Sequence, residues 1–115
     1  MRLALLFLLT FMSTASAHDH YTGKSDPVTK SSCCGGHDCA VLRIEPGVLT
    51  PEDGGVRIRL TQEQARKINP ARKGAVNAFV PDSRVQQSWD GQYHMCFAWY
   101  PTNEDFYCFC APPNT

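Results

Sequence analysis

The sequence predicts a small disulfide-rich domain that is mainly β, built from antiparallel hairpins, with one short helix. Short runs of β-branched and aromatic residues are separated by Pro, Gly, Asn and Asp, which is typical of strands joined by turns. One stretch carries a helix start signal. The cysteines lie in two groups of three, one toward each end of the chain: Cys33, Cys34 and Cys39, then Cys96, Cys108 and Cys110.

The first 17 residues are typical of a secretory signal peptide. Arg2 precedes an apolar run over residues 3–12, and small residues lead to Ala17. The run is shorter than the roughly 20 residues that a membrane-spanning helix needs, and no cysteine follows for lipid attachment. We therefore expect a signal peptide over 1–17, a mature chain that begins at His18, and a location in the periplasm or outside the cell.

If the protein is exported, its cysteines are expected to form disulfides, because thiols in oxidising compartments normally do so. Their even number predicts three bridges. A bridge between the neighbours Cys33 and Cys34 is strained, and Cys108 and Cys110 point the same way from one strand. Excluding both bridges leaves roughly ten of the 15 pairings, most of which join the two groups. We expect at least two such bridges, each contributing about 4 kcal/mol through the long loop that it closes.

We expect one domain over 33–115, preceded by a polar, flexible N-terminal arm over 18–32. The 11 Lys and Arg residues equal the 11 Asp and Glu residues in number, and loss of Arg2 with the signal peptide leaves a formal charge near −1. This balance gives nucleic acid no strongly basic surface to bind. We predict a monomer that does not span the membrane and that meets an unidentified protein or envelope partner.

In the first half of the domain, residues 40–49 predict a short strand that is broken at Pro46-Gly47. Residues 50–55 predict a turn. Residues 56–60 alternate apolar side chains with Arg57 and Arg59, which predicts a half-buried strand with both arginines in water. The acidic pairs at 52–53 and 104–105 lie in predicted turns and are expected to be solvated.

Thr61 and Gln64 form a capping-box pattern, which predicts a helix over about 62–68 that ends before Pro70. Residues 75–81 predict a further strand. Residues 92–100 and 105–111 then predict an antiparallel, aromatic-rich hairpin. On one of its faces lie Tyr93, Met95, Phe97 and Trp99, and on the other His94, Cys96, Ala98 and Tyr100.

Four motifs occur in the order HDHY at 18–21, CCGGHDC at 33–39, HMC at 94–96 and CFCAPP at 108–113. This order resembles a family of small exported cysteine-rich bacterial proteins of unknown function. The family pattern has Trp at the position of His20 and an apolar residue at the position of Cys110. The resemblance covers both ends of the mature chain and little of the middle. It implies export and the cysteine framework, without naming a reaction.

The expected new N-terminus suggests a copper site. A free amine, two backbone amides and a third-position imidazole form a square of nitrogens suited to Cu(II), and His18-Asp19-His20 supplies them. Alternatively, the amine and ring of His18 hold copper together with His94 or His37, which resembles the histidine brace of copper-binding proteins. The simpler alternative is an exposed, metal-free arm that happens to contain histidines.

Other chemistry has weaker signals. His94 with Cys96, Cys108 and Cys110 offers the ligand types of a zinc site, but Cys108 and Cys110 are closer than zinc spacing usually requires, and oxidation is the expected fate of these thiols. No C-x-x-C motif or nucleophile–base pattern occurs, so we predict no catalytic activity. We expect an exported, disulfide-stabilised binding or interaction protein of the cell envelope. Four aromatic residues are candidates for its contact surface: Trp89, Tyr93, Trp99 and Tyr100.

Overall fold

Seven short strands and one helix make up the part of the chain that the computed structural model describes, residues 24–33 and 38–113. The strands are β1 (Asp38–Leu42), β2 (Leu49–Glu52), β3 (Gly55–Leu60), β4 (Val76–Pro81), β5 (Val85–Gln87), β6 (Tyr93–Phe97) and β7 (Cys108–Ala111). The helix α1 (Gln62–Arg66) lies between β3 and β4, and a short 3-10 helix over Asp82–Arg84 precedes β5.

The strands form two sheets, one with the order β1-β6-β7-β5 and one with the order β2-β3-β4. Every pairing is antiparallel except that of β5 with β7. The prediction of a small, mainly β domain with one short helix is confirmed. The predicted hairpin is also confirmed as β6 and β7, in which Met95 lies opposite Phe109.

The core lies between the sheets, because each contributes one apolar face. In β4, for example, Val76, Ala78 and Val80 are buried, whereas Asn77 between them is exposed. From the four-stranded sheet, Met95, Phe97 and Phe109 enter the same core. No helix in residues 24–33 and 38–113 is long and apolar enough to cross a membrane.

Helix α1 starts where the sequence predicts. The Gln64 N–H donates to Thr61 Oγ1 at 3.1 Å, and the Thr61 N–H donates to Gln64 Oε1 at 2.9 Å, which is the reciprocal bonding of a capping box. Ala65 packs into the core. The helix ends at Arg66, two residues earlier than predicted, and turn hydrogen bonds continue to Asn69.

Two disulfides, Cys33–Cys108 and Cys39–Cys96, join the two cysteine groups. The expectation of at least two such bridges is confirmed. The alternative zinc site is wrong, because the sulfurs of Cys96 and Cys108 belong to different disulfides. Among the described residues Cys110 has a free, buried thiol, and Cys34 lies outside them. The third predicted bridge therefore stays a prediction.

Residues 24–33, which include most of the predicted arm, pack against the domain. Ser25 and Ser32 form a β-bridge, and the Cys33 N–H donates to the Lys24 carbonyl oxygen at 3.0 Å. Asp26 is fully buried and accepts a hydrogen bond from Arg84 Nε at 2.8 Å. This buried ion pair and the Cys33–Cys108 disulfide fix the segment. Residues 18–23 lie outside the described residues.

Asp105 corrects the expectation that both acidic pairs are solvated. It is buried, and its two carboxylate oxygens accept hydrogen bonds from Arg72 Nη2 at 3.0 and 3.1 Å. Glu52, by contrast, is partly exposed and pairs with Arg57 near the surface. Sequence position in a turn did not distinguish the two carboxylates, because the partner of Asp105 is 33 residues away.

Candidate binding cleft

A cleft of about 740 Å³ runs beside β1, the outermost strand of the four-stranded sheet. The opposite wall is α1 with the turn that follows it. Its volume lies within the range of small-ligand sites, which is about 300–1,000 Å³. The lining residues are Ala40, Val41, Leu42, Arg43, Glu45, Leu60, Gln64, Lys67, Ile68, Trp89, Asp90 and His94.

One end of the cleft is formed by His94, Asp90 and Trp89. His94 is 3% exposed, and its Nε2 lies 2.8 Å from Asp90 Oδ1. A carboxylate only accepts, so the imidazole N–H donates in this bond. The bond lowers the pKa of Asp90, which is ionised at neutral pH. The imidazole also stacks on the Trp89 ring with centroids 4.2 Å apart. These contacts hold His94 in one orientation.

Lys24 lies against the Trp89 ring of the same group. Its Nζ lies 4.9 Å from the centroid of the Trp89 ring, which is within cation–π distance. Lys24 begins the described segment that the Cys33–Cys108 disulfide attaches to the sheet. The end of the cleft is therefore assembled from residues that are far apart in the sequence.

The strand register places Cys110 beside His94 on the face of the sheet that is turned away from the core. Val41 lies opposite His94 on the other side, so these three residues form one row across the sheet. Burial raises the pKa of the Cys110 thiol, and Lys24 partly opposes that change. A protonated, buried thiol is a poor nucleophile. Cys110 thus resembles a small apolar residue in this position.

Four charged side chains line the cleft, and the two carboxylates already have partners. Asp90 accepts a hydrogen bond from His94, and Glu45 Oε2 accepts one from Gln64 Nε2 at 3.0 Å. Arg43 and Lys67 are exposed, and within residues 24–33 and 38–113 their side chains form no ion pair or hydrogen bond. The cleft therefore carries two cations and two carboxylates, because the hydrogen bond from the neutral Gln64 amide leaves Glu45 negatively charged.

Of the residues predicted to bind copper, His94 is described, whereas His18 and His20 lie outside the described residues, as does His37. The part of the chain that the structure describes contains no group of three His, Cys, Asp or Glu side chains arranged to hold a metal ion. The copper hypothesis rests mainly on the N-terminal histidines and stays a prediction.

The four aromatic residues predicted as a contact surface are distributed over three places. Trp89 lines the cleft, and Tyr93 packs toward the core with its ring centroid 6.0 Å from that of Phe109. Trp99 and Tyr100 are exposed on the loop after β6, with their rings edge to face at 4.9 Å. They do not form one surface.

Sequence reasoning did not identify the helix side of the cleft. Lys67 and Ile68 follow a helix whose start was predicted, but a capping box does not show which strand the helix will face. Arg43 and Val41 were within a predicted strand whose partner was unknown. The available signal was the apolar Val41 close to the charged Arg43 in a predicted strand.

The cleft combines apolar and polar groups in one concave surface. It has an apolar strand and helix lining, a fixed imidazole–carboxylate pair, the Glu45 carboxylate and two cations. Comparison with known proteins adds no relative: no family model, no curated protein and no solved structure matches this chain.

Proposed function

We propose that this protein is an exported, disulfide-stabilised binding protein of the bacterial cell envelope, which acts as a monomer and binds its ligand in the cleft beside β1. The cleft carries the proposal. Its apolar lining, including Leu42, Leu60 and Ile68, supplies hydrophobic contact, and a small number of polar groups supply orientation, which is the usual composition of a ligand site.

Export is supported by the signal-peptide pattern over residues 1–17 and by the two disulfides. Disulfides fit an oxidising environment outside the cytoplasm, and they are common in small exported domains whose cores are small. The proposed location is the periplasm or the extracellular medium. N-terminal sequencing of protein recovered from the cell envelope should give His18 as the first residue, and an intact Met1 would contradict export.

Binding without catalysis is supported by the chemistry of Cys110. Burial disfavours its thiolate. An effective nucleophile needs the opposite conditions, a lowered pKa or an adjacent base that is free to accept its proton. The arrangement is better suited to hold a ligand than to transform one.

The test uses an aromatic anion, 8-anilinonaphthalene-1-sulfonate, as the probe of the mature protein. We expect one saturable site, because the apolar lining accepts the rings and the exposed Arg43 or Lys67 pairs with the sulfonate. Val41→Glu should weaken binding by about tenfold, since it places a negative charge beside the site. Val41 is 38% exposed, so the change should leave folding intact.

Val28→Glu is the matched control, because Val28 is 55% exposed and does not line the cleft. It should bind the dye as the unchanged protein does. Both variants are first compared by circular dichroism and urea unfolding, so that dye bound to partly unfolded protein is recognised. Equal dye affinity in Val41→Glu and Val28→Glu would contradict the cleft as the binding site.

A further inference from the structure

We propose that the surface around Trp99 docks on the anionic lipid surface of a membrane. This Trp99 surface is formed by two loops, one after α1 and one after β6, and its exposed residues are Pro70, Ala71, Lys73, Trp99, Tyr100 and Pro101. None of them lines the cleft, so the inference does not rest on the proposed ligand site. Three properties carry it: a rigid backbone, internally paired carbonyl groups, and cations beside exposed aromatic rings.

The two loops are joined by direct contacts. The Lys73 N–H donates to the Trp99 carbonyl oxygen at 2.7 Å, and Lys73 Nζ lies 5.6 Å from the centroid of the Trp99 ring. On the other side of Tyr100, the Pro101 ring lies next to Gly74. Because these contacts hold the loops in one arrangement before any partner binds, docking costs little conformational entropy.

The carbonyl groups at the Trp99 surface are paired within the protein. Three successive carbonyl oxygens, those of residues 98–100, each accept a hydrogen bond. Arg72 Nη1 donates to the first and the third, and the Lys73 N–H donates to the second. Pro101 follows and has no N–H group. An unpaired backbone group is costly where lipid excludes water, and this segment enters such a region with its carbonyl groups already satisfied.

The side chains of the Trp99 surface have the chemistry of a membrane interface. Trp99 is 49% exposed and Tyr100 is 46% exposed. Trp and Tyr are enriched where a membrane meets water, because each combines an apolar ring with one polar group. Lys73 is exposed beside them, and Arg66 lies next to the same loop, since its Nε donates to the Arg72 carbonyl oxygen at 2.8 Å.

The exposed charge around this surface is positive. Arg72 is buried and balanced by Asp105, and Glu104, beyond Pro101, is paired with Arg84. An excess of cations favours an anionic lipid surface over a zwitterionic one. The exposed charged side chains within residues 62–75 and 98–101 are three cations and one carboxylate: Arg66, Lys67, Lys73 and Glu63.

The first test is cosedimentation of the mature protein with vesicles of phosphatidylcholine, alone or mixed with an equal part of phosphatidylglycerol. We expect about tenfold tighter binding to the anionic vesicles, and a loss of this difference at high salt. Equal affinity for both vesicles, or binding to neither, would overturn the inference.

Lys73→Gln should weaken binding to the anionic vesicles by about fivefold, which is the effect of one cation near such a surface. Arg43→Gln is the matched control, because it removes one exposed cation elsewhere. Arg43 follows the Leu42–Tyr93 pair, at the end of β6 opposite to Trp99. It should keep the affinity of the unchanged protein, and an equal loss in both variants would show that net charge alone, without the Trp99 surface, controls binding.

Trp99→Ala should weaken binding to the anionic vesicles by about tenfold, because it removes the largest apolar contact of the surface. Ile44→Ala is its control, since Ile44 is 43% exposed and lies outside the Trp99 surface. All variants are first compared by urea unfolding, so that a loss of folded protein is not taken for a loss of affinity. The same loss of affinity in Ile44→Ala would contradict docking through Trp99.

Quenching by lipids with brominated acyl chains identifies which residue meets the membrane. The chain has two tryptophans, so the variants Trp89→Phe and Trp99→Phe each retain one indole. In anionic vesicles the fluorescence of Trp89→Phe should be strongly quenched, because Trp99 lies at the interface, and that of Trp99→Phe should change little. The opposite order would overturn the inference.

A protein partner is the competing occupant of this surface, and a second copy of the chain is tested directly. Light scattering of the vesicle-free protein should show a monomer. Self-association that Trp99→Ala abolishes would assign the surface to another copy and overturn docking on lipid. Dye binding in the cleft is measured without vesicles, so the proposed ligand site stands or falls separately.

Discussion

At the residue scale, Arg72 and Asp105 illustrate how one buried pair organises a loop. Arg72 is fully buried, and its Nη1 donates to the carbonyl oxygens of Ala98 and Tyr100 at 3.0 and 3.1 Å. Its Nη2 donates to Asp105. The guanidinium has five donors in a fixed plane, so it can hold several carbonyl groups and a carboxylate at once. Arg72 therefore holds the backbone on both sides of the exposed Trp99.

We predict that Arg72→Ala lowers the free energy of unfolding by about 3–5 kcal/mol, because it leaves the Asp105 carboxylate buried without its cation. Arg72→Lys should also destabilise, since an ammonium cannot reproduce the planar set of hydrogen bonds. Urea unfolding measures both effects. Arg59→Ala, at an exposed position, is the control and should change stability by less than about 0.5 kcal/mol. A similar small effect at Arg72 would contradict this account.

At the element scale, the segment over residues 24–33 depends on Asp26. Burial opposes ionisation of this carboxylate, but the Thr29 N–H, the Arg84 guanidinium and the Val28 N–H together lower its pKa. The two N–H groups donate to Oδ1 at 2.9 Å, while Arg84 donates to Oδ2. The pKa of Asp26 is thus lower in the folded than in the unfolded protein.

This difference predicts the direction of acid sensitivity. A carboxylate with a lowered folded-state pKa binds more protons in the unfolded state, so its contribution is present above the unfolded pKa of about 3.9 and is lost as the pH falls below it. Asp26→Asn should destabilise at pH 7 by about 2–4 kcal/mol and make stability fall less steeply in acid. Urea unfolding across the acidic range measures this slope. Asp53→Asn, in an exposed turn, should keep the slope of the unchanged protein.

At the scale of the whole molecule, the two disulfides connect the ends of the described chain across sequence separations of 75 and 57 residues. They lie on the face of the four-stranded sheet opposite the apolar core. Apolar packing therefore stabilises one face of this sheet, and the two disulfides stabilise the other. The Cys33–Cys108 disulfide also holds the segment that begins at Lys24, whose side chain lies near Trp89 at the end of the cleft.

Replacing both Cys33 and Cys108 by Ser should lower the free energy of unfolding by about 4 kcal/mol, because the unfolded chain regains the freedom of a long loop. Paired replacement of Cys39 and Cys96 should have a comparable effect. Guanidinium unfolding under non-reducing conditions measures both. A loss below about 1 kcal/mol for either pair would show that loop closure does not account for the stabilisation.

The sequence by itself determined the local features of this fold. The capping box at Thr61 and Gln64, the strand over 76–81 and the aromatic hairpin are set by side-chain period, turn residues and backbone hydrogen bonding within short segments. The connection between the cysteine groups was also predictable, because geometry disfavours the Cys33–Cys34 and Cys108–Cys110 bridges and most of the remaining pairings join the two groups. The specific pairing was not predictable, since several combinations satisfied that condition.

Only the tertiary structure decided which strands are neighbours and, therefore, where the cleft lies. The pairing of β1 with β6 places Val41 beside His94, which is 53 positions later in the chain, and leaves the other edge of β1 facing α1. The burial of Asp105 by Arg72 has the same origin. Such contacts depend on how the sheets share one core, and no local period or spacing encodes that arrangement.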